Sequence, residues 1–338
     1  MIRMSLRQFR IQALVAAILV VLAVIYLINL GGGIRAVRDT SQLQSQYGQT
    51  MLFLAAGFGL VPALVGAFWG APLIARELET GTHRLAWNQS VPRRRWLAVK
   101  LTVLGLASMA VAGTISALLT WAAGPIDQVA ADRFSAILFG ARGVVPIGYA
   151  AFGFTFGAIT GLLARRTLPA MALVFLAVIA VQFAVPNLLR PHYLPAERVT
   201  VAMSADAINQ ARTLGSITGG PVVGGIAIPD AWVTDTSKLL TSDGRQLSDA
   251  AFDGCLTNAP KTGAIGTFGD VAVCLGKLDL HVDMAYQPNQ RFWPFQWIEL
   301  ALYLGLSALL AAVGLSRIQR RVHPGQIMAW VRLRGARP

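Results

Sequence analysis

Charge is scarce in this sequence. Charged residues make up 13% of its 338 positions, about half of the roughly 25% usual in a soluble domain. Lysine is nearly absent, at 4 against 25 arginines. The 2 cysteines form no C-x-x-C, and the 4 histidines (His83, His192, His281, His323) are scattered. No metal site is suggested by that spacing. No H-E-x-x-H occurs, and only Lys277 follows a glycine, with Leu278 next. A phosphate-binding Gly-Lys-Ser/Thr loop is therefore absent, and ATP, if it drives this protein, is bound by another polypeptide. What the chain has instead is apolar mass: 55% hydrophobic residues and a mean hydropathy of +0.56, beside a net charge of +13 and a pI near 10.8. This combination argues against a soluble enzyme, a disordered chain and a nucleic-acid binder, whose basic surface is polar throughout. It suits a polytopic membrane protein with its charge confined to a few loops.

Crossing a hydrocarbon core about 30 Å thick takes roughly 20 apolar helical residues. Six stretches qualify: 11–30, 51–75, 101–123, 143–164, 167–189 and 295–316. The only formal charge in them is Glu299. The first is too long for a signal-peptide core, and Asn29-Leu30-Gly31-Gly32-Gly33 is expected to stop its helix. Basic residues concentrate in alternate connections. Residues 1–10, 76–100, 165–166 and 317–338 together carry +15; the opposite set, Glu299 included, carries −2. The positive-inside rule then predicts both termini in the cytoplasm, as an even number of spans requires. The predicted class is an all-α integral membrane protein with six transmembrane helices, in which residues 190–294 form one extracytoplasmic region between spans five and six.

That region holds both cysteines. A Cys255–Cys274 disulfide is expected there, because the outside is oxidising and closing such a loop contributes about 3 kcal/mol in the chain-entropy picture. Within the region, 198–214 and 247–253 are expected to be helical, Gly215–Gly225 a loop, and 271–286 a strand or two, giving a small stapled lid. Its end, YQPNQRFWPFQWIE, places aromatics at the membrane interface. At the N-terminus, Ile2, Leu6 and Phe9 beside Arg3, Arg7 and Arg10 predict an amphipathic helix (residues 1–10) lying on the inner leaflet. The basic tail 317–338, with Ile327, Trp330 and Val331, is similar in kind. Gly153, Gly157 and Gly161 in span four, and Gly66 and Gly70 in span two, line small-residue faces for close packing within the chain or between subunits.

No histidine or aspartate lies in any span, which excludes the usual intramembrane protease centres and disfavours a proton-driven carrier. Glu299 sits about one turn in from the outer surface, where it is expected to snorkel or to pair with Arg291 or Arg142, with a cationic substrate as the alternative. The longest inner loop, residues 76–100 (RELETGTHRLAWNQSVPRRRWLAVK), has its own logic. Glu77 and Glu79 suit the start of a short exposed helix, Pro92 stops it, and Arg93–Arg95 with Trp96 mark re-entry into the membrane. Such a helix is a docking surface for a cytosolic partner.

This loop resembles the coupling region of type-2 ATP-binding-cassette (ABC) exporter permeases. The matching positions are Glu77, Glu79, Gly81, Thr82, Pro92, Arg93 to Arg95, Trp96 and Lys100. The plan of the chain is similar as well, and YQPNQRFWPFQ resembles permeases of high-GC Gram-positive bacteria. The resemblance implies a multi-pass protein of a bacterial plasma membrane. Two permease chains, identical or different, would pair in the lipid with two cytosolic ABC ATPase subunits. ATP and Mg would sit on the ATPases, with no cofactor in this chain and no nucleic-acid partner. It implies ATPase coupling through Glu77, Glu79, Gly81, Thr82 and Arg84. It also implies a substrate cavity between spans two and five of the two protomers, where Phe58, Phe68, Trp69, Phe175 and Phe183, with Glu299, are candidate contacts. An amphipathic or lipophilic substrate such as a drug, antibiotic or lipid would be exported. The alternative is a non-transporting membrane sensor or scaffold whose outer region binds a ligand.

Overall fold

The computed structural model describes residues 10–37, 42–82, 92–127, 133–217 and 220–320. The expected amphipathic N-terminal helix and most of the basic tail lie outside these residues. The chain divides into two compact units. Unit 1 comprises Met1–Val129, Ala136–Pro186 and Pro294–Pro338; unit 2 comprises Ala130–Ser135 and Asn187–Trp293.

Among the described residues, six helices are long and apolar enough to cross a membrane. These are α1 (Arg10–Ala36), α2 (Leu43–Glu79), α3 (Arg93–Asp127), α5 (Val145–Ala164), α6 (Thr167–His192) and α10 (Phe292–Arg320); a short α4 (Ala136–Ala141) precedes α5. Most overrun the apolar stretches read from the sequence. Backbone hydrogen bonding carries a helix past its lipid-compatible segment into charged ends such as Glu79 and Arg93, and only length within the hydrocarbon core is fixed by the bilayer. Two π turns interrupt the spans, at Gly66–Gly70 in α2, one turn after Pro62, and at Val185–Leu189 in α6.

The centre of unit 1 is α5. Its most apolar window is 72% buried, against 11–33% for the other five spans. Lipid is as apolar as leucine, so this burial gains little from leaving water and must come from close packing. Glycine supplies it. A Cβ at Gly153 would come within 3.0 Å of the Pro62 carbonyl oxygen, one at Gly157 within 3.0 Å of the Gly66 oxygen, and one at Gly161 within 3.0 Å of the Ala71 oxygen. The contact is reciprocal: Gly66 lies against the Gly153 oxygen and Gly70 against that of Phe154. The two small-residue faces therefore meet within one chain. Around them Leu73 and Ile74 of α2, Trp96, Leu97 and Leu101 of α3, Phe154, Ala158 and Ile159 of α5 and Ile318 of α10 form an apolar cluster.

Glycine also explains why α1 does not stop where the sequence suggests. The helix runs through Gly31-Gly32-Gly33 to Ala36. Gly31 is flat against the indole of Trp121 in α3, and a Cβ there would fall within 3.0 Å of the ring. Arg35 follows one turn later, with its guanidinium 4.0 Å from the Trp121 ring centroid and hydrogen bonds to the carbonyl oxygens of Gly31 and Trp121. Gly31 serves close helix–helix approach and not chain termination, whereas a Cβ at Gly32 would meet nothing within 4 Å.

Unit 2 corrects the all-α expectation. An antiparallel sheet runs in the order β1 (Glu197–Ala202), β5 (His281–Pro288), β4 (Ala231–Thr236), beside a hairpin of β2 (Thr213–Ile217) and β3 (Gly220–Gly224). Short helices α7 (Ala205–Gln210), α8 (Asp249–Thr257) and α9 (Gly269–Gly276) complete it. Of the expected 198–214 helix only α7 is helical. The run Arg198-Val199-Thr200-Val201 is β-branched on three of four positions and pairs with β5 instead. The expected Gly215–Gly225 loop is largely hairpin, and 271–286 gives one helix and one strand, whereas the short helix expected at 247–253 is present as α8. Ser204 and Ser248 cap α7 and α8 with their hydroxyls. Cys255 and Cys274 are disulfide-bonded. The bridge joins α8 to α9 beside a buried core that includes Met203, Ile208, Leu239, Phe252, Leu275 and Val282. The region is thus a small unit with its own core, larger in content than a lid. The loop between the two cysteines is held by Asp270, whose carboxylate accepts from the Thr262 hydroxyl and the amides of Thr262 and Ala264. Those donors hold its pKa below the ordinary aspartate range, the Thr262 hydroxyl foremost.

Gly157→Ala is expected to destabilise unit 1 by about 1–3 kcal/mol through overpacking. Gly57→Ala, where nothing lies within 4 Å of the added Cβ, is expected to be neutral or stabilising by up to about 1 kcal/mol. Midpoints of SDS-titrated unfolding check the pair. Equal effects of the two substitutions contradict the packing described.

Candidate functional site

The residues that the sequence nominates for coupling sit at the end of α2. Arg76, Glu77 and Glu79 belong to its last turns, followed by a turn in which Thr80 bonds back to the Arg76 carbonyl through its amide (2.9 Å) and hydroxyl (2.8 Å). Gly81 then takes a positive φ of 74°, the left-handed conformation that ends a helix at no steric cost. The acids are therefore at a helix C-terminus, where the backbone dipole disfavours negative charge. The expectation that they open a loop helix is corrected. Arg84 lies outside the described residues, as does the remainder of that loop to residue 91.

Each acid is stabilised by a different neighbouring helix. Glu77 Oε1 is 2.5 Å from Lys100 Nζ. The pair is largely buried, with side-chain exposures of 16% and 6%, and the ammonium also lies 4.5 Å from the centroid of Trp96, one turn earlier in α3. Glu79 Oε2 accepts from the Thr167 hydroxyl at 2.7 Å and from the Thr167 amide at 3.1 Å. Thr167 is the first residue of α6. Negative charge does sit at a helix N-terminus, as the sequence reading required, but the helix is a different one, reached through space. Glu77 and Glu79 thus tie the end of α2 to the start of α3 and to the start of α6.

The other candidates are dispersed. Phe58 and Phe175 are half-buried, while Phe68, Trp69 and Phe183 are exposed on the apolar outer surface of unit 1. Glu299 is not with them. It is fully buried and accepts a hydrogen bond of 2.5 Å from the Tyr149 hydroxyl of α5. The arginines expected to pair with it are engaged elsewhere: Arg142 with Asp127 at 2.5 Å, and Arg291 with Glu197 at 2.9 Å and with the Gln287 side chain. Nearby on α10, Gln296 Oε1 accepts from the amides of Val144 and Val145, both at 3.0 Å, satisfying donors at the start of α5 that no local side chain caps. Glu299 and Gln296 thus anchor α10 to α5. The roles of Tyr149, Gln296 and Thr167 escape sequence reading, because each depends on a partner 88–152 residues away. Polar side chains in otherwise apolar spans are the only signal they leave. Among the described residues no group of three or more His, Cys, Asp or Glu side chains is placed to hold a metal ion.

Six apolar helices, with a buried central span and polar ties at its ends, define a multi-pass helical membrane protein. The family described as "ABC-2 membrane transporter related" matches residues 11–190. The match spans the first five membrane-spanning helices and the α2–α3 loop, and the chain belongs to that family. No curated protein and no solved structure matches it. Permeases of the ABC-2 class typically work with a separate ATPase subunit.

Removing one member of a buried ion pair leaves the other charge uncompensated. Lys100→Met alone is expected to destabilise unit 1 by about 3 kcal/mol, and the double change Glu77→Gln with Lys100→Met to recover most of that loss. Unfolding midpoints of the parent chain and the two variants measure it. A double variant no more stable than Lys100→Met alone contradicts the pairing.

Proposed function

We propose that this chain is the membrane subunit of an ATP-driven exporter. Two permease chains, identical or different, pair in a bacterial plasma membrane and bind two cytosolic ABC ATPases, which carry the ATP and Mg. Both termini and the α2–α3 loop face the cytoplasm, and unit 2 faces the outside, where an oxidising environment sustains a disulfide. The observation that carries this reading is the family match together with the connection it includes, residues 76–100. That connection leaves α2 at Glu79, beside the starts of α3 and α6. An ATPase bound to the loop there is positioned to act on three spans at once. Gly81, Thr82 and Arg84 are the docking residues of this reading, and Glu77 and Glu79 transmit the movement.

The substrate class is amphipathic or lipophilic, since the spans carry so little charge. Phe58, Phe68, Trp69, Phe175 and Phe183 are its candidate contacts, on the two helices, α2 and α6, that would face the second permease chain. ATP closes the ATPase dimer, and the cycle exploits the difference between the contacts made in the two states. The sensor reading retains one observation in its favour, the separate core and disulfide of unit 2.

Inverted membrane vesicles containing this chain and its ATPase are expected to accumulate a lipophilic fluorescent dye only with Mg-ATP, and to lose this activity with vanadate. Arg84→Glu is expected to lower the accumulation by about tenfold with the same amount of chain in the membrane. Uptake that proceeds without ATP and follows the proton gradient sinks the assignment.

A further inference from the structure

The connection between α5 and α6 is only two residues long, Arg165 and Arg166. Arg165 is in the left-handed conformation, with φ 55°, and its amide closes α5 on the Gly161 carbonyl. Arg166 is the N-cap of α6 and makes no side-chain cap hydrogen bond. It has no means to do so, because a guanidinium only donates, whereas the first amides of a helix need acceptors. The acceptor at this helix start comes from Glu79, 88 residues earlier, which takes both the amide and the hydroxyl of Thr167.

The two ties at the end of α2 differ in kind. The Glu77–Lys100 pair is largely buried, so separating it costs more than separating a solvated pair. Glu79 and Thr167 meet in an exposed position, where water replaces a lost hydrogen bond at little net expense. One bond is built to persist and the other to be exchanged. Both lie next to Thr80 and Gly81, where the coupling loop departs. At this end Glu79 supplies the polar tie between α6 and α2, whose Ala71–Glu79 segment also packs against α6, while α5 meets α2 by backbone contact at Gly161 and Ala71.

We propose that Glu79 is a positioning residue: a releasable latch that caps α6 from α2 and sets where the near end of α6 stands relative to α2. Glu77 is the fixed pin that keeps α2 and α3 moving as one body. The use of the latch in a transport cycle rests on the permease reading above; its existence does not. Detaching Glu79 removes the polar tie that fixes the start of α6, so α6 can shift along its packed face on α2 without opening the glycine contact between α2 and α5. A movement of the coupling loop would therefore reach α6 first.

The test uses the full-length chain alone in lipid nanodiscs, so that its failure and failure of the transport reading are separable. Nitroxide labels at Arg76→Cys and Leu168→Cys, both exposed positions, report the α2–α6 separation by double electron–electron resonance. A second pair at Leu60→Cys and Leu309→Cys, also exposed, reports the bundle away from the latch. The native cysteines are bonded to each other and take no label. With Glu79 intact, the 76/168 pair is expected to give one dominant distance. Glu79→Ala is expected to add a second, longer population, and Glu79→Gln, which keeps an acceptor oxygen, to restore the single distance. The 60/309 distance is expected to stay unchanged in all three. An unchanged 76/168 distribution in Glu79→Ala overturns the proposal. So does a broadening of both pairs alike, which is loss of packing and not release of a latch, or a failure of Glu79→Gln to restore the single distance.

Discussion

Everything in unit 1 depends on backbone touching backbone between α2 and α5. In water a helix pair is held largely by the removal of apolar surface from solvent; in lipid that drive is absent, and approach distance decides. Gly153, Gly157 and Gly161 on one helix, and Gly66 and Gly70 on the other, let carbonyl oxygens rest where side chains would otherwise stand. The π turn at Gly66–Gly70 lies inside this contact, one turn past Pro62, whose carbonyl receives Gly153. The proline and the wide turn thus fall in the stretch of α2 on which α5 rests. With α5 fixed there, its two ends become the places where polar groups gather. Gln296 and Glu299 of α10 hold one end, and the other leads through Arg165 and Arg166 to Thr167 and its cap.

How much of this was legible in the sequence follows from which constraints are local. Six spans are legible because each must satisfy the bilayer by itself. The glycine faces are legible as faces, since spacing at i, i+4 and i+8 is a property of one helix. Spacing does not say what the face meets, so within-chain packing and subunit contact stay equal on sequence alone. The stop expected at Gly31–Gly33 fails for the same reason: the Trp121 ring that makes Gly31 necessary lies about 90 residues away. In the coupling segment the residue types are legible and the partners are not. Glu77 and Glu79 look like the acids that open a loop helix, and their proximity to Lys100 and Thr167 emerges only when three helix ends converge.

Unit 2 shows a different limit. The alternation of Arg198-Val199-Thr200-Val201 is a strand signal, but it is short and runs directly into the helical Ala205–Gln210, so a single helix covers both in a composition reading. Likewise Gly215–Gly225 contains enough glycine to look like loop, yet Val222 and Val223 give β3 side chains to pack, and Val223 is buried in the core. The paired cysteines were the most readable feature. They are bonded, and they brace α8 and α9 around a loop that Asp270 organises from inside.

The central claim is that one chain builds its own spine from α2 and α5. The interaxial distance between these helices at Gly66 and Gly157, measured by electron cryo-microscopy of the chain in lipid nanodiscs, tests it most directly. The expected result is an α2–α5 separation shorter than the roughly 8–10 Å of ordinary helix packing, with both helices traced to the same chain. An ordinary separation with side chains between the helices, or a glycine face of α5 covered by a second copy, would contradict it.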